Sequence, residues 1–202
     1  MSERRRRRRR RTLALLLGFL ALALLVALLG PGLNGALRRL ALPLEDARTI
    51  RLQAAADHLD PALIAAVIYA ETKFDARTSA TGARGLMQIE PETAAFIASS
   101  LGQRAFRAEE LADPATNIAY GSWYLGFLLR HYAGAEVPAL AAYNAGVGNV
   151  DRWLGEARAA GRPFGIARIP YPQTRAYVER VLAAQREYRE TYALELGLRR
   201  HR

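Results

Sequence analysis

The chain of 202 residues has room for one domain plus tails, and at 51% apolar it can bury a core, which excludes full disorder. It has no cysteine, so disulfide, thiol-nucleophile and zinc–thiolate chemistry are excluded. The net charge of +10 suggests nucleic acid, but eight consecutive arginines, Arg4 to Arg11, put +7 into residues 1–11 and leave only +3 for the rest. The basicity belongs to a tail, and no nucleic-acid partner is expected.

Eighteen uncharged residues follow, Thr12 to Leu29, mostly Leu and Ala. As a helix they would reach roughly 27 Å, near the thickness of a hydrocarbon core. We read residues 12–29 as an N-terminal transmembrane helix, with the arginine tail cytoplasmic and the remainder outside the membrane. A cleaved secretory signal is the alternative; the small residues of 30–36 offer no clear cleavage motif. Residues 30–45, punctuated by glycine and proline, read as a linker.

From residue 46 the text is helical. Residues 46–58 form an alanine-rich amphipathic stretch. Asp60-Pro61 is a cap followed by proline at the first helical position, predicting a largely buried helix to about Thr72. Residues 75–85 read as turn. Pro91 opens another helix, and Asp113-Pro114 starts a long one to about Tyr132. Pro138 is expected to open a short helix ending near Asn144, and Gly146, Gly148 and Asn149 to form a tight loop. Further helices are predicted over about 149–159 and from Thr174 to Leu196. No hairpin signal separates β-rich runs. The expectation is an all-α domain over 46–196 and a short tail at 197–202.

Histidines 58, 131 and 201 have no metal-ligand spacing, and the serines lack a nucleophile-elbow context. No Gly-Lys-Ser/Thr follows Gly82 and Gly85, so they make no phosphate loop. No metal or cofactor is expected. Glu71 ends an otherwise apolar helix, with Val67 and Ile64 on its face. Burial and the negative end of the helix dipole both hold a proton on such a carboxyl, as a general acid requires. A water-facing glutamate paired with Lys73 or Arg77 is the alternative on this argument alone.

Glu71-Thr72-Lys73-Phe74 is followed by Gly82-Ala83-Arg84-Gly85-Leu86-Met87-Gln88, then Ala142-Tyr143-Asn144-Ala145-Gly146, then Pro172-Gln173-Thr174-Arg175-Ala176-Tyr177-Val178. In these four blocks, over about residues 46–190, the chain resembles the soluble lytic transglycosylases, lysozyme-like enzymes that cleave bacterial peptidoglycan. The resemblance implies that Glu71 is the single catalytic glutamate. It implies substrate-side roles for Thr72, Met87, Gln88, Tyr143, Asn144, Gln173 and Tyr177, with the Tyr143 hydroxyl beside Glu71. Thr72 stands where the family usually has serine, and Gln173 where many members have glutamate. For Met87, plain packing is the competing reading. The implied reaction cleaves the bond from N-acetylmuramic acid to N-acetylglucosamine and leaves a 1,6-anhydro end, outside the cytoplasm. The alternatives are a hydrolytic muramidase, which a second carboxylate would favour, and a non-catalytic peptidoglycan-binding module.

Overall fold

The computed structural model describes residues 38–103 and 105–198, and Phe19. The arginine tail, the predicted membrane helix apart from Phe19, and residues 199–202 lie outside the described residues. No helix among the described residues is long and apolar enough to cross a membrane. The chain divides into two units, Met1–Ala41 and Leu42–Arg202, and the second holds every element below.

That unit contains seven α-helices among its described residues: α1 (Ala47–Asp57), α2 (Pro61–Thr72), α3 (Pro91–Ser100), α4 (Pro114–His131), α5 (Glu136–Ala145), α6 (Val147–Ala159) and α7 (Pro172–Thr191). Short 3-10 turns cover Ala108–Ala112 and Ile166–Arg168. Both Asp-Pro pairs start helices. Asp60 Oδ1 accepts from Ala62 N–H at 3.0 Å, and Asp113 Oδ2 accepts from Thr116 N–H at 2.8 Å. Each side chain satisfies a donor that the first helical turn leaves free, and each proline sits where no donor is needed.

The core centres on α2. Residues 62–68 are all buried, so this helix is apolar around its full circumference, as a central helix must be. It packs chiefly against α7, while α4 packs on α1 and α5. Asp60 also accepts from Gln185 and Arg189 of α7, which fixes where α2 enters the bundle. Tyr188 and Tyr192 donate to the carbonyls of Pro43 and Leu42, closing the end of the fold onto its beginning.

Four sequence expectations shift. The turn at 75–85 contains a two-stranded hairpin, β1 (Arg77–Thr78) and β2 (Arg84–Gly85), so the fold is mainly rather than wholly helical. Its strands of two residues are too short to leave a β-rich pattern. Helix α5 begins at Glu136, two residues before Pro138, because the first turn of a helix has no use for the missing proline N–H. The expected loop at 146–149 shrinks to Gly146, at φ 84°, and Gly148 and Asn149 lie in the first turn of α6. Helix α7 starts at Pro172 and stops at Thr191, since Tyr192 and Leu196 turn into the core.

Candidate active site

Glu71 lies in the last turn of α2, and the chain reverses immediately after it. Lys73 and Phe74 both take positive φ, 55° and 66°, an uncommon pair of conformations for side-chain-bearing residues. Burial of the Phe74 ring against Tyr188 holds this reversal. The backbone then returns through β1 and β2 and passes under the end of α2. There the Thr72 hydroxyl lies 2.8 Å from the Leu86 carbonyl and 3.2 Å from that of Ile68.

The turn at 84–88 is built around Asn117 of α4, which is fully buried. Asn117 Oδ1 accepts from Met87 N–H at 2.8 Å, and Nδ2 donates to the carbonyls of Arg84 (2.8 Å) and Leu111 (3.1 Å). Gly85 takes φ 74°, and a Cβ there would sit 2.2 Å from the Asn117 amide. Only glycine fits both the conformation and the contact. Gly121 is limited by contact alone, since a Cβ would fall 2.3 Å from the Met87 sulfur. The Gln88 amide donates to Arg77 O and Gly85 O, at 2.8 Å each, and so ties the hairpin to the turn.

Glu71, Gln88, Tyr143, Asn144 and Gln173 line one cleft of about 460 Å³, brought together from α2, the 84–88 turn, α5 and α7. Three expected substrate contacts are not on its wall. Thr72 and Met87 are buried behind it, Thr72 as a brace between α2 and the turn and Met87 packed on Gly121. Tyr177 is buried beside Glu71, its hydroxyl facing the carboxyl without completing a hydrogen bond of normal geometry. Asn144 is oriented by Thr174, whose hydroxyl donates to Oδ1 at 2.8 Å. The Tyr143 hydroxyl donates to the Met87 carbonyl at 2.9 Å and feels the charge of Glu71.

The cleft also includes residues that the motifs did not indicate. Ser79, Thr81, Glu90, Thr93 and Tyr124 contribute polar lining. Tyr124 packs on Tyr143 with ring centroids 5.6 Å apart, and this ring contact between two helices has no local sequence signal. Among the described residues no group of His, Asp or Glu side chains is arranged to hold a metal ion.

Burial pushes the Glu71 carboxyl up to about 7. Tyr177, Arg180 and Arg77 pull it back, each by favouring the charged form. Arg77 does not pair with the carboxylate; its guanidinium donates to the Glu71 backbone carbonyl at 3.0 Å. A carboxyl balanced near neutrality can give a proton and take it back within one cycle. If the protonated form starts the reaction, kcat/KM should be level at acid pH and halve near pH 7, falling tenfold per unit above it. Removing the Arg180 charge should move that limb to higher pH. A rate–pH profile that rises through pH 7 would contradict this assignment.

Comparison with known proteins places the chain. The transglycosylase SLT domain family matches residues 48–163, more than half of the chain, and the chain belongs to that family. It is 41% identical over 115 residues to the soluble lytic murein transglycosylase of Salmonella typhimurium, covering 55% of this chain and 18% of the relative. It is 31% identical over 160 residues to membrane-bound lytic murein transglycosylase C of Salmonella paratyphi B, covering 65% and 42%. The chain thus spans less than half the length of these relatives. Among solved structures, the 70 kDa soluble lytic transglycosylase of Escherichia coli superposes with a TM-score of 0.72 at 29% identity, covering 81% of this chain and 27% of that one. A 70 kDa soluble lytic transglycosylase in complex with bulgecin A gives 0.71 at 31% identity, covering 76% and 25%. An inactive glutamate-to-glutamine mutant of the Pseudomonas aeruginosa enzyme gives 0.68 at 30%, covering 75% and 25%. The fold is therefore the mostly helical, lysozyme-like fold of these transglycosylases.

Proposed function

We propose that the protein is a peptidoglycan lytic transglycosylase with Glu71 as its acid and base. The observation that carries this is the part-buried Glu71 carboxyl at about 7, set in a polar cleft at the end of an apolar helix. Protonated Glu71 gives its proton to the oxygen joining N-acetylmuramic acid to N-acetylglucosamine, and that bond breaks. The neighbouring N-acetyl carbonyl stabilises the positive C1. The Glu71 carboxylate then takes the proton of the muramic C6 hydroxyl as its oxygen bonds to C1. The glutamate is protonated again and the sugar is left as a 1,6-anhydro end. Gln88, Asn144 and Gln173 hydrogen-bond the glycan, and Tyr143 and Tyr177 shape the space around the carboxyl. Release of soluble fragments from purified peptidoglycan by the full chain tests the activity; intact peptidoglycan would overturn it.

Glu90 supports a second reading. It is exposed at the start of α3 and lines the same cleft, so a second carboxylate is present as in hydrolytic glycosidases. Its partner role would be to activate water, giving a reducing end.

The residues 12–29 are proposed to anchor the catalytic unit on the outer face of the membrane, in keeping with a relative named as membrane-bound. Protease added to intact spheroplasts should then remove the catalytic unit and spare a short N-terminal fragment. A unit protected until lysis would contradict that orientation.

A further inference from the structure

Beside the cleft, α3 and α4 carry an aromatic ladder that the catalytic reading does not use. Trp123 and Phe127 are nearly parallel, 7° apart with centroids at 5.8 Å. Tyr124 and Phe127 are inclined by 12° at 6.1 Å. Phe96 of α3 meets Phe127 edge-on at 5.2 Å and remains 44% exposed. A hollow of about 340 Å³ lies over these rings, with Phe96, Phe127 and Val147 as apolar walls and Glu92, Thr93 and Tyr124 at its polar edge. Thr93 and Tyr124 also line the Glu71 cleft, so the hollow continues it.

We propose that this hollow is an additional saccharide subsite, holding a sugar of the same glycan strand beyond those seated in the Glu71 cleft. The proposal rests on the reading of that cleft as a glycan site. A pyranose has an apolar C–H face and a rim of hydroxyls. The rings of Phe96 and Phe127 suit the first, and Glu92, Thr93 and the Tyr124 hydroxyl suit the second. An exposed apolar patch edged by hydrogen-bonding groups and continuous with a cleft is the form a ligand site takes. Phe96 and Phe127 therefore select for longer strands and do not take part in the chemistry.

The test compares short and long peptidoglycan glycan fragments on full-length protein carrying Glu71→Gln, with and without Phe96→Ala. Affinity is read by intrinsic tryptophan fluorescence, to which Trp123 contributes. Lengthening the fragment beyond the cleft should tighten binding about tenfold in the Glu71→Gln protein, and Phe96→Ala should abolish that gain while leaving the short fragment unaffected. Phe96→Tyr should restore it. With Glu71 intact, Phe96→Ala should lower kcat/KM on long strands alone. Equal affinity for short and long fragments before substitution, or equal losses on both after it, would overturn the subsite. Concentration-dependent dimerisation lost in Phe96→Ala, without length dependence, would assign the ladder to self-association and overturn it too. Fragment binding without any product from the Glu71 protein would instead sink the catalytic reading, so the two failures are distinct.

Discussion

Glu71→Gln should lower fragment release from peptidoglycan by at least ~10²–10⁴, the usual worth of one general acid or base. The loss can exceed that range, because the same side chain is assigned to both proton transfers. Glutamine keeps the shape and the hydrogen bonding of the glutamic acid but has no proton to give. The variant should also be the more stable protein at alkaline pH. In the folded chain the carboxyl is raised to about 7 from an ordinary 4.5, so the native state holds the proton more tightly than the unfolded one. Stability of the parent therefore falls as pH rises between those values and stays lowered above pH 7. Glutamine removes that dependence: the melting temperatures should match near pH 4 and separate in favour of the variant by pH 8. Asp75→Asn, four residues on but exposed, should change neither release nor stability appreciably. Parental release by Glu71→Gln, read as soluble muropeptide per unit time, would remove Glu71 from the mechanism.

The second large effect is structural. Asn117→Ala should destabilise the protein by about 3 kcal/mol or more, because it removes the partner of the buried Met87 N–H and Leu111 carbonyl and of the part-buried Arg84 carbonyl. It also frees the turn that positions Gln88 and the Met87 carbonyl to which Tyr143 is tied. Asn117→Asp keeps the acceptor but loses the donor and buries a charge, so it should not rescue. Urea unfolding followed by tryptophan fluorescence gives the change directly, and a shift within about 0.5 kcal/mol would mean that the turn holds without its clamp.

The contrast between Glu71 and Asn117 marks what the sequence carries. The start of α2 was legible from Asp60-Pro61, since an N-cap and the proline after it act on neighbouring backbone. The burial of Glu71 was legible from the apolar run before it. The motif around Gly85 indicated a family position, but nothing local announced that its φ and its missing Cβ answer to an asparagine on another helix. Tyr143 beside Glu71 came from family likeness, while its bond to Met87 came from the way α5 lies against the turn. Thr72 and Met87 take substrate-side roles from the family resemblance, with plain packing as the competing reading for Met87, and both side chains are buried. The helical and turn geometry sends them inward. The aromatic ladder left even less trace, since Phe96 and Phe127 are thirty-one residues apart and look like ordinary core positions until one is found exposed.

The electrostatics of the site follow from the same arrangement. Tyr177 is buried and Tyr143 is half-buried on the cleft wall, and burial together with the Glu71 charge holds both hydroxyls well above their usual range. Both stay neutral around neutral pH, so the one group in this trio that titrates there is the glutamate. That separation between a titrating carboxyl and two fixed hydroxyls is what lets a single residue alternate between acid and base.

Digestion of peptidoglycan in ¹⁸O-labelled water, followed by mass spectrometry of the released muropeptides, tests the central claim most directly. If Glu71 works alone and the muramic C6 oxygen closes on C1, no water enters the product. The newly formed ends should carry no label and be lighter than hydrolysed ends by one water. Newly formed reducing ends at full mass, each carrying one labelled oxygen, would contradict this and would place water, with Glu90 as its activator, in the cleft.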